Sequence, residues 1–227
     1  MKYELKGNVM PAVEVTMNKG EEMYTQSGGM CWMSRGVQMS TNSKGGLLKG
    51  LGRMLAGESI FMATYKATAP DSYIAFSSTV PGEIMPVDIG QSGPLICQKG
   101  AFLAAQSSVN LEIAFTKKIS AGLFGGEGFI LQKLSGSGMA FLEVDGNMVT
   151  KDLAPGEELL VDTGNVVAFQ DGMRYEVEMV KGMKNILLGG EGLTLTRVVG
   201  PGRVVLQTQN IHELAGKIAS MIPTSNN

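Results

Sequence analysis

Three carboxylates hold equivalent places in a repeated phrase, and they are the first residues to weigh for chemistry. Glu58, Glu127 and Glu191 each follow a glycine, in AGES, GGEG and GGEG. Brought to a common axis, three such groups could bind a cation or share a proton. Against this, a glutamate between glycines ordinarily stays solvated or accepts backbone N–H bonds. No aspartate or histidine accompanies the three at a ligand spacing. They stand as candidate axial carboxylates, with no metal, cofactor or catalytic role expected. His212, the single histidine, has no serine or cysteine motif tied to it, which argues against a nucleophile–base pair. Cys31 and Cys97 lie in apolar runs, where cysteine acts as a small buried hydrophobe, and Trp32 reads as core or interface. The glycine-rich phrases lack the lysine and the following helix of a phosphate loop. These residues lean away from an enzyme.

A second constellation is apolar and basic. Before the three Gly-Glu phrases come SKGGLLKGLGRMLAGES, KKISAGLFGGEG and KGMKNILLGGEG. Gathered on one face, they would set Lys44, Lys49, Arg53, Lys117, Lys118, Lys181 and Lys184 among Leu47, Leu48, Leu51, Leu123, Phe124, Ile186 and Leu187. Anionic lipid headgroups, or a protein partner with an acidic rim, favour such a surface. The plainer reading folds the leucines into the core and leaves the lysines as a solvated rim.

The elements that must position these groups are legible as repeats. GGEGFILQKLSGSGMAFLEV at 125–144 is written again as GGEGLTLTRVVGPGRVVLQT at 189–208, an offset of 189 − 125 = 64 residues. Each copy reads as turn, strand, Gly-x-Gly hairpin turn, strand. A degraded third copy, AGESIFMATYKA, replaces that hairpin by a longer turn through Pro70 and Asp71. An upstream phrase, PGEELLVDTG at 155–164, matches PGEIMPVDIG at 81–90 and KGEEMYTQSG at 19–28. Apolar strands are expected at 30–33, 95–98 and 166–170, and alternating ones at VNLEIAF (109–115) and YEVEMV (175–180). Similar units with similar apolar faces bury them best in a closed arrangement, here about a pseudo-threefold axis. The tail, 210–222, is the one convincing helix, with Asn210 as N-cap, Glu213 three residues on, and Ile211, Leu214, Ile218 and Met221 on one face. It is expected to lie on the β body as a lid, with 223–227 frayed.

Composition narrows the function classes. Lys and Arg (19) nearly balance Asp and Glu (21), for a formal net charge of −2, so no global field attracts nucleic acid. Two cysteines without a close pair indicate neither a disulfide framework nor a zinc site, and a reduced cytosol is expected. The N-terminus lacks the apolar core of a signal peptide.

MKYEL, GGLLKGLGRMLAGESIF, GGEGF, KLSGSG and GPGRVVLQTQN, in this order and spacing, resemble the bacterial and archaeal family of unassigned function related to the altered-inheritance-of-mitochondria proteins. The resemblance covers almost the whole chain. It implies an all-β fold of three β-sandwich repeats similar to the tryptophan RNA-binding attenuator protein (TRAP-like), with internal pseudo-threefold symmetry. It offers no catalytic residues. One domain is expected over 1–222, its repeats near 1–70, 71–138 and 139–208, with the C-terminal helix following. The expected role is a non-enzymatic, homo-oligomeric scaffold of the cytosol, docking on a protein partner or an anionic membrane through the apolar-basic loops. The alternatives are a small-molecule binder or enzyme with its site on the axis, and an RNA-binding module. Nucleic acid is the less favoured partner, since the chain lacks a basic-aromatic stripe.

Overall fold

The computed structural model describes residues 1–26, 29–40, 62–117, 128–179 and 194–222. Among them the chain is predominantly β, as expected. β1 (Lys2–Lys6), β2 (Ala12–Met17), β3 (Glu22–Gln26), β4 (Met30–Met33), β5 (Val37–Ser40), β6 (Met62–Ala67) and β7 (Ser72–Ser77) come first. β8 (Gly82–Asp88), helix α1 (Ile89–Ser92), β9 (Leu95–Gln98), β10 (Phe102–Gln106), β11 (Val109–Lys117), β12 (Phe129–Gly136) and β13 (Met139–Asp145) follow. β14 (Met148–Leu153), β15 (Glu158–Asp162), β16 (Val166–Gln170), β17 (Arg174–Met179), β18 (Thr194–Val199), β19 (Gly202–Gln207) and helix α2 (Ile211–Ala219) complete the order.

The strands form four antiparallel sheets. The first runs β1-β2-β7-β4, the second β5-β6-β3-β10-β13-β8, the third β11-β12-β9-β16-β19-β14, and the fourth β15-β18-β17. The alternation expected at 109–115 holds: in β11, Val109 and Leu111 are buried while Asn110 and Glu112 are exposed. The Gly-x-Gly turn between β12 and β13 takes φ +91° at Gly136 and +119° at Gly138, a region that glycine enters without steric cost. A Cβ on Gly138 would lie 2.7 Å from Ser108 Oγ, so the turn needs glycine for space as well. Between β6 and β7, Asp71 takes φ +52°, which aspartate tolerates better than most residues.

One pairing recurs in three places. β10 meets β13 through Phe102↔Leu142 and Ala104↔Phe141, skipping Leu103 at a bulge. β16 meets β19 through Val166↔Leu206 and Ala168↔Val205, skipping Val167, each residue 64 positions further on. β4 meets β7 through Met30↔Phe76 and Trp32↔Ala75, skipping Cys31.

One sequence match does not carry into the sheets. β8, which holds PGEIMPVDIG, borders the second sheet beside β13, whereas β15, which holds PGEELLVDTG, pairs with β18. The counterpart of β15 is β9: Leu131↔Gln98 is matched by Leu195↔Asp162, again 64 positions on. The two phrases share turn chemistry only. Asp88 accepts the N–H groups of Gly90 and Gln91, and Asp162 that of Gly164, so each caps a short helical turn.

Buried side chains fall into three clusters. One takes Val13, Val15, Ile74 and Phe76 from the first sheet and Met23, Tyr65, Ala104 and Phe141 from the second. Another joins Phe102, Leu142 and Val144 of the second to Cys97, Leu111 and Leu134 of the third. The last joins Ile96, Phe129, Phe169 and Val204 of the third to Val161, Val177 and Val198 of the fourth. α2 starts where expected, with the Asn210 side chain accepting the His212 N–H at 3.0 Å, but it is no lid: none of its residues is buried. Its seat is polar and holds the helix by its N-terminus, so Ile218 stays exposed and Met221 and Ile222 beyond it likewise. Phe141 is fully buried, and Phe141→Ala should cost about 3–5 kcal/mol. Denaturant unfolding checks this as a lower midpoint at unchanged slope.

Candidate functional site

β13 ends in Phe141, Leu142, Glu143, Val144 and Asp145, all buried, because the strand lies inside the second sheet and packs on both faces. Its alternation therefore drives two carboxylates inward. Glu143 Oε1 accepts from Ser78 Oγ at 2.7 Å, Thr79 N at 2.5 Å, Thr79 Oγ1 at 2.9 Å and Val80 N at 3.3 Å. This cradle satisfies a charge that burial would otherwise make costly.

Asp145 sits two residues on, on the same side of the strand. Its Oδ2 accepts the Ile211 N–H at the start of α2 at 3.2 Å, and its own N–H donates to Gln207 Oε1 at 3.0 Å. Gln207 Nε2 in turn donates to the Gly164 carbonyl at 2.8 Å. Burial above all, then the neighbouring Glu143 charge, pushes the Asp145 carboxyl up to about 6, and the Ile211 N–H only partly offsets them. The two carboxylates, Gln98, Gln207, Asn210 and His212 line a cavity of about 200 Å³. Such a space accepts a small polar or cationic group and offers a proton acceptor that titrates near neutrality.

The candidates named from sequence lie elsewhere. Glu58, Glu127 and Glu191 fall outside the described residues. So do Lys44, Leu47, Leu48, Lys49, Leu51, Arg53, Lys118, Leu123, Phe124, Lys181, Lys184, Ile186 and Leu187; Lys117 closes the backbone of β11, and its side chain is outside them too. Cys97 is buried as expected, and burial pushes its thiol up to about 12, which keeps it protonated and unreactive. Cys31 corrects the expectation: it is exposed, on β4, which is an edge strand of the first sheet among the described residues. Trp32 lies on the same strand, with its indole N–H on Glu14 Oε2 at 2.7 Å. Among the described residues no three metal-binding side chains converge. Glu143 and Asp145 were missed because E-V-D in an alternating strand looks like a solvent-facing row. The signal was Phe141 on the same side, two residues before Glu143.

An all-β protein, its described strands in four sheets and a polar cavity set against its C-terminal helix, is the class that these observations define. The family model described as mitochondrial biogenesis AIM24 matches residues 3–209, and the chain belongs to that family. An uncharacterised protein of Streptococcus pyogenes serotype M6 is 29 % identical over 225 residues, covering 96 % of this chain and 89 % of that protein. A crystal structure of a Streptococcus pyogenes protein superposes with a TM-score of 0.77 at 25 % identity, covering 97 % of this chain and 99 % of that one. Neither relative brings a specific function with it.

The raised Asp145 makes a signed prediction. A carboxyl above its ordinary range holds a proton in the native state that the unfolded chain releases near pH 4. Its contribution to stability therefore declines as pH rises from about 4 to 6 and stays unfavourable above. Asp145→Asn removes that penalty. Its stability relative to wild type should be higher at pH 7.5 than at pH 4.5 by about 1–2 kcal/mol, measured by urea unfolding at both values. An equal difference at both would place the titration elsewhere.

Proposed function

We propose that this chain is a non-enzymatic β scaffold that works as an assembly of its own copies, built of three TRAP-like sandwich repeats related by a pseudo-threefold. The recurring bulged pairing and the constant offset of 64 residues support the repeat. One observation carries the scaffold reading: the strands β4 and β15 expose Trp32, Met33 and Leu160, large apolar side chains on sheet edges unpaired among the described residues. Apolar side chains exposed on an unpaired edge favour association with another chain. A cytosolic setting fits the free thiols of Cys31 and Cys97. Among the described residues no helix is long and apolar enough to cross a membrane.

The apolar-basic segments before the Gly-Glu phrases add a docking face for an anionic membrane or an acidic partner, on the strength of their composition. The cavity at Glu143 and Asp145 favours a second reading, a binder of a small polar ligand. An RNA-binding role draws less support, because the fourth sheet surrounds Arg197 with Glu158, Glu176 and Glu178, which repel phosphate.

Light scattering across a concentration series tests the scaffold directly. A mass above the 24.0 kDa of one chain is expected, and a constant single-chain mass refutes assembly. In the same buffers the protein should cosediment with anionic but not neutral vesicles. Replacing Leu47, Leu48 and Leu51 together by serine should abolish that binding while circular dichroism stays unchanged. A variant that unfolds would assign those leucines to the core.

A further inference from the structure

The cavity at the end of β13 carries negative charge that nothing on its walls balances. Glu143 and Asp145 line it, and no lysine or arginine does. Glu143 is 7 % exposed and Asp145 8 %. Each nevertheless keeps one oxygen unused. Glu143 gathers all four of its donors on Oε1, and Asp145 takes the Ile211 N–H on Oδ2. Among the described residues Glu143 Oε2 and Asp145 Oδ1 accept no hydrogen bond, and neither is sealed from solvent, so both open on the cavity that their side chains line. Asn210, 7 % exposed, is in a like position: its Oδ1 caps α2, while its Nδ2 has no partner among the described residues.

The chemistry of these open groups selects a ligand class. Buried charge without a counter-charge is costly, and the protein's own answer is a proton on Asp145, whose carboxyl burial pushes up to about 6. A bound cation would neutralise the site and also occupy both open oxygens. A divalent metal suits it poorly, since such ions take about six or more oxygens and no three metal-binding side chains converge among the described residues. A guanidinium pairs best with both oxygens of one carboxylate, and here each carboxylate has only one to give. A quaternary ammonium has no N–H to donate and prefers phenyl or indole faces, which the cavity lacks. A primary ammonium, compact and with three N–H donors, fits two separate acceptors. Two residues along one strand set the side chains about 7 Å apart at Cα, close enough for both to lean onto one nitrogen.

The space of about 200 Å³ equals roughly seven waters at their liquid volume, so the ligand is small. We propose that the cavity binds a small amino alcohol, its primary ammonium on Glu143 Oε2 and Asp145 Oδ1 and its hydroxyl oxygen on Asn210 Nδ2. The proposal rests on the small-polar-ligand reading and gives that ligand its class. Ammonium and proton then compete for Asp145, so affinity rises with pH between 5 and 7. Glu143 of β13 and His212 of α2 are the other titratable groups on the walls. Gln98, Gly100, Gly164 and Gln207 bring no charge, and Lys99, next to Gln98 in the chain, does not line the cavity.

Titration calorimetry at fixed ionic strength and pH 7.5 tests this with ethanolamine, with ethylene glycol as its uncharged counterpart, and with potassium. Ethanolamine should bind at one site per chain, at least about tenfold more tightly than either comparator, as hydrogen bonds to a charged group imply. Asp145→Asn should keep the wild-type circular dichroism and weaken ethanolamine by about tenfold or more. Ethylene glycol or potassium binding as tightly as ethanolamine overturns the ammonium assignment; glycol binding would still preserve the small-polar-ligand reading. No heat from any of the three overturns both. An Asp145→Asn variant that binds ethanolamine as wild type does also overturns the proposal. Should that variant unfold, the wild-type protein at pH 5 decides: weaker ethanolamine binding than at pH 7.5 is expected, and unchanged affinity overturns the proposal.

Discussion

Every β-strand has two hydrogen-bonding edges, and the structure follows from where each edge finds its partner. Two of the three-stranded groups are completed by a strand from far along the chain. β5-β6-β3 leaves β3 open until β10 arrives, some 80 residues later in the chain, and β11-β12-β9 leaves β9 open until β16 arrives. A buried unpaired row of N–H and C=O groups costs more than any one side-chain contact returns. Backbone satisfaction therefore fixes these joints, and the cores lie between the sheets so joined. That is why each buried cluster draws on two sheets, and why cutting the chain between clusters would strip a sheet as well as a core.

The same register brings connecting loops together. The Gly82 N–H donates to the Val9 carbonyl at 2.8 Å and the Gly146 N–H to the Pro81 carbonyl at 2.9 Å, 64 positions on at the donor. A Cβ on Gly82 would run into the Val144 carbonyl, so backbones approach there as closely as glycine allows. The cavity opens along this seam. Glu143 and Gln207, 64 residues apart, both turn toward it, and substituting the amide for the acid changes the task. The carboxylate collects four donors from residues 78–80, while the amide bridges the Asp145 N–H and the Gly164 carbonyl.

Much of this was legible in the residues. The 64-residue offset, the Gly-x-Gly turns, the alternating strands and the Asn210 cap all rest on local rules, and local rules are what a sequence displays. Strand exchange between distant groups is not local: nothing in PLICQKG says that its far edge will meet VVAFQD. The PGE phrase misled for the same reason, since an aspartate capping a short turn looks alike on a strand that pairs with β13 and on one that pairs with β18. Glu143 and Asp145 hid behind their alternation, which tells inside from outside only when a strand has one wet face.

Asp145 shows how such a seam sets chemistry without changing the fold. Its carboxylate faces the first N–H groups of α2, where a helix terminus favours negative charge by about 0.3–1 kcal/mol. Were that the larger effect, the acid would lie below its ordinary range. It lies near 6, so removal from water and the Glu143 charge outweigh the helix. A protonated carboxyl still offers a carbonyl oxygen to the Ile211 N–H, so protonation leaves the start of α2 in place. The charge state thus governs what the cavity can hold, while the hydrogen bonds around it govern where the helix begins.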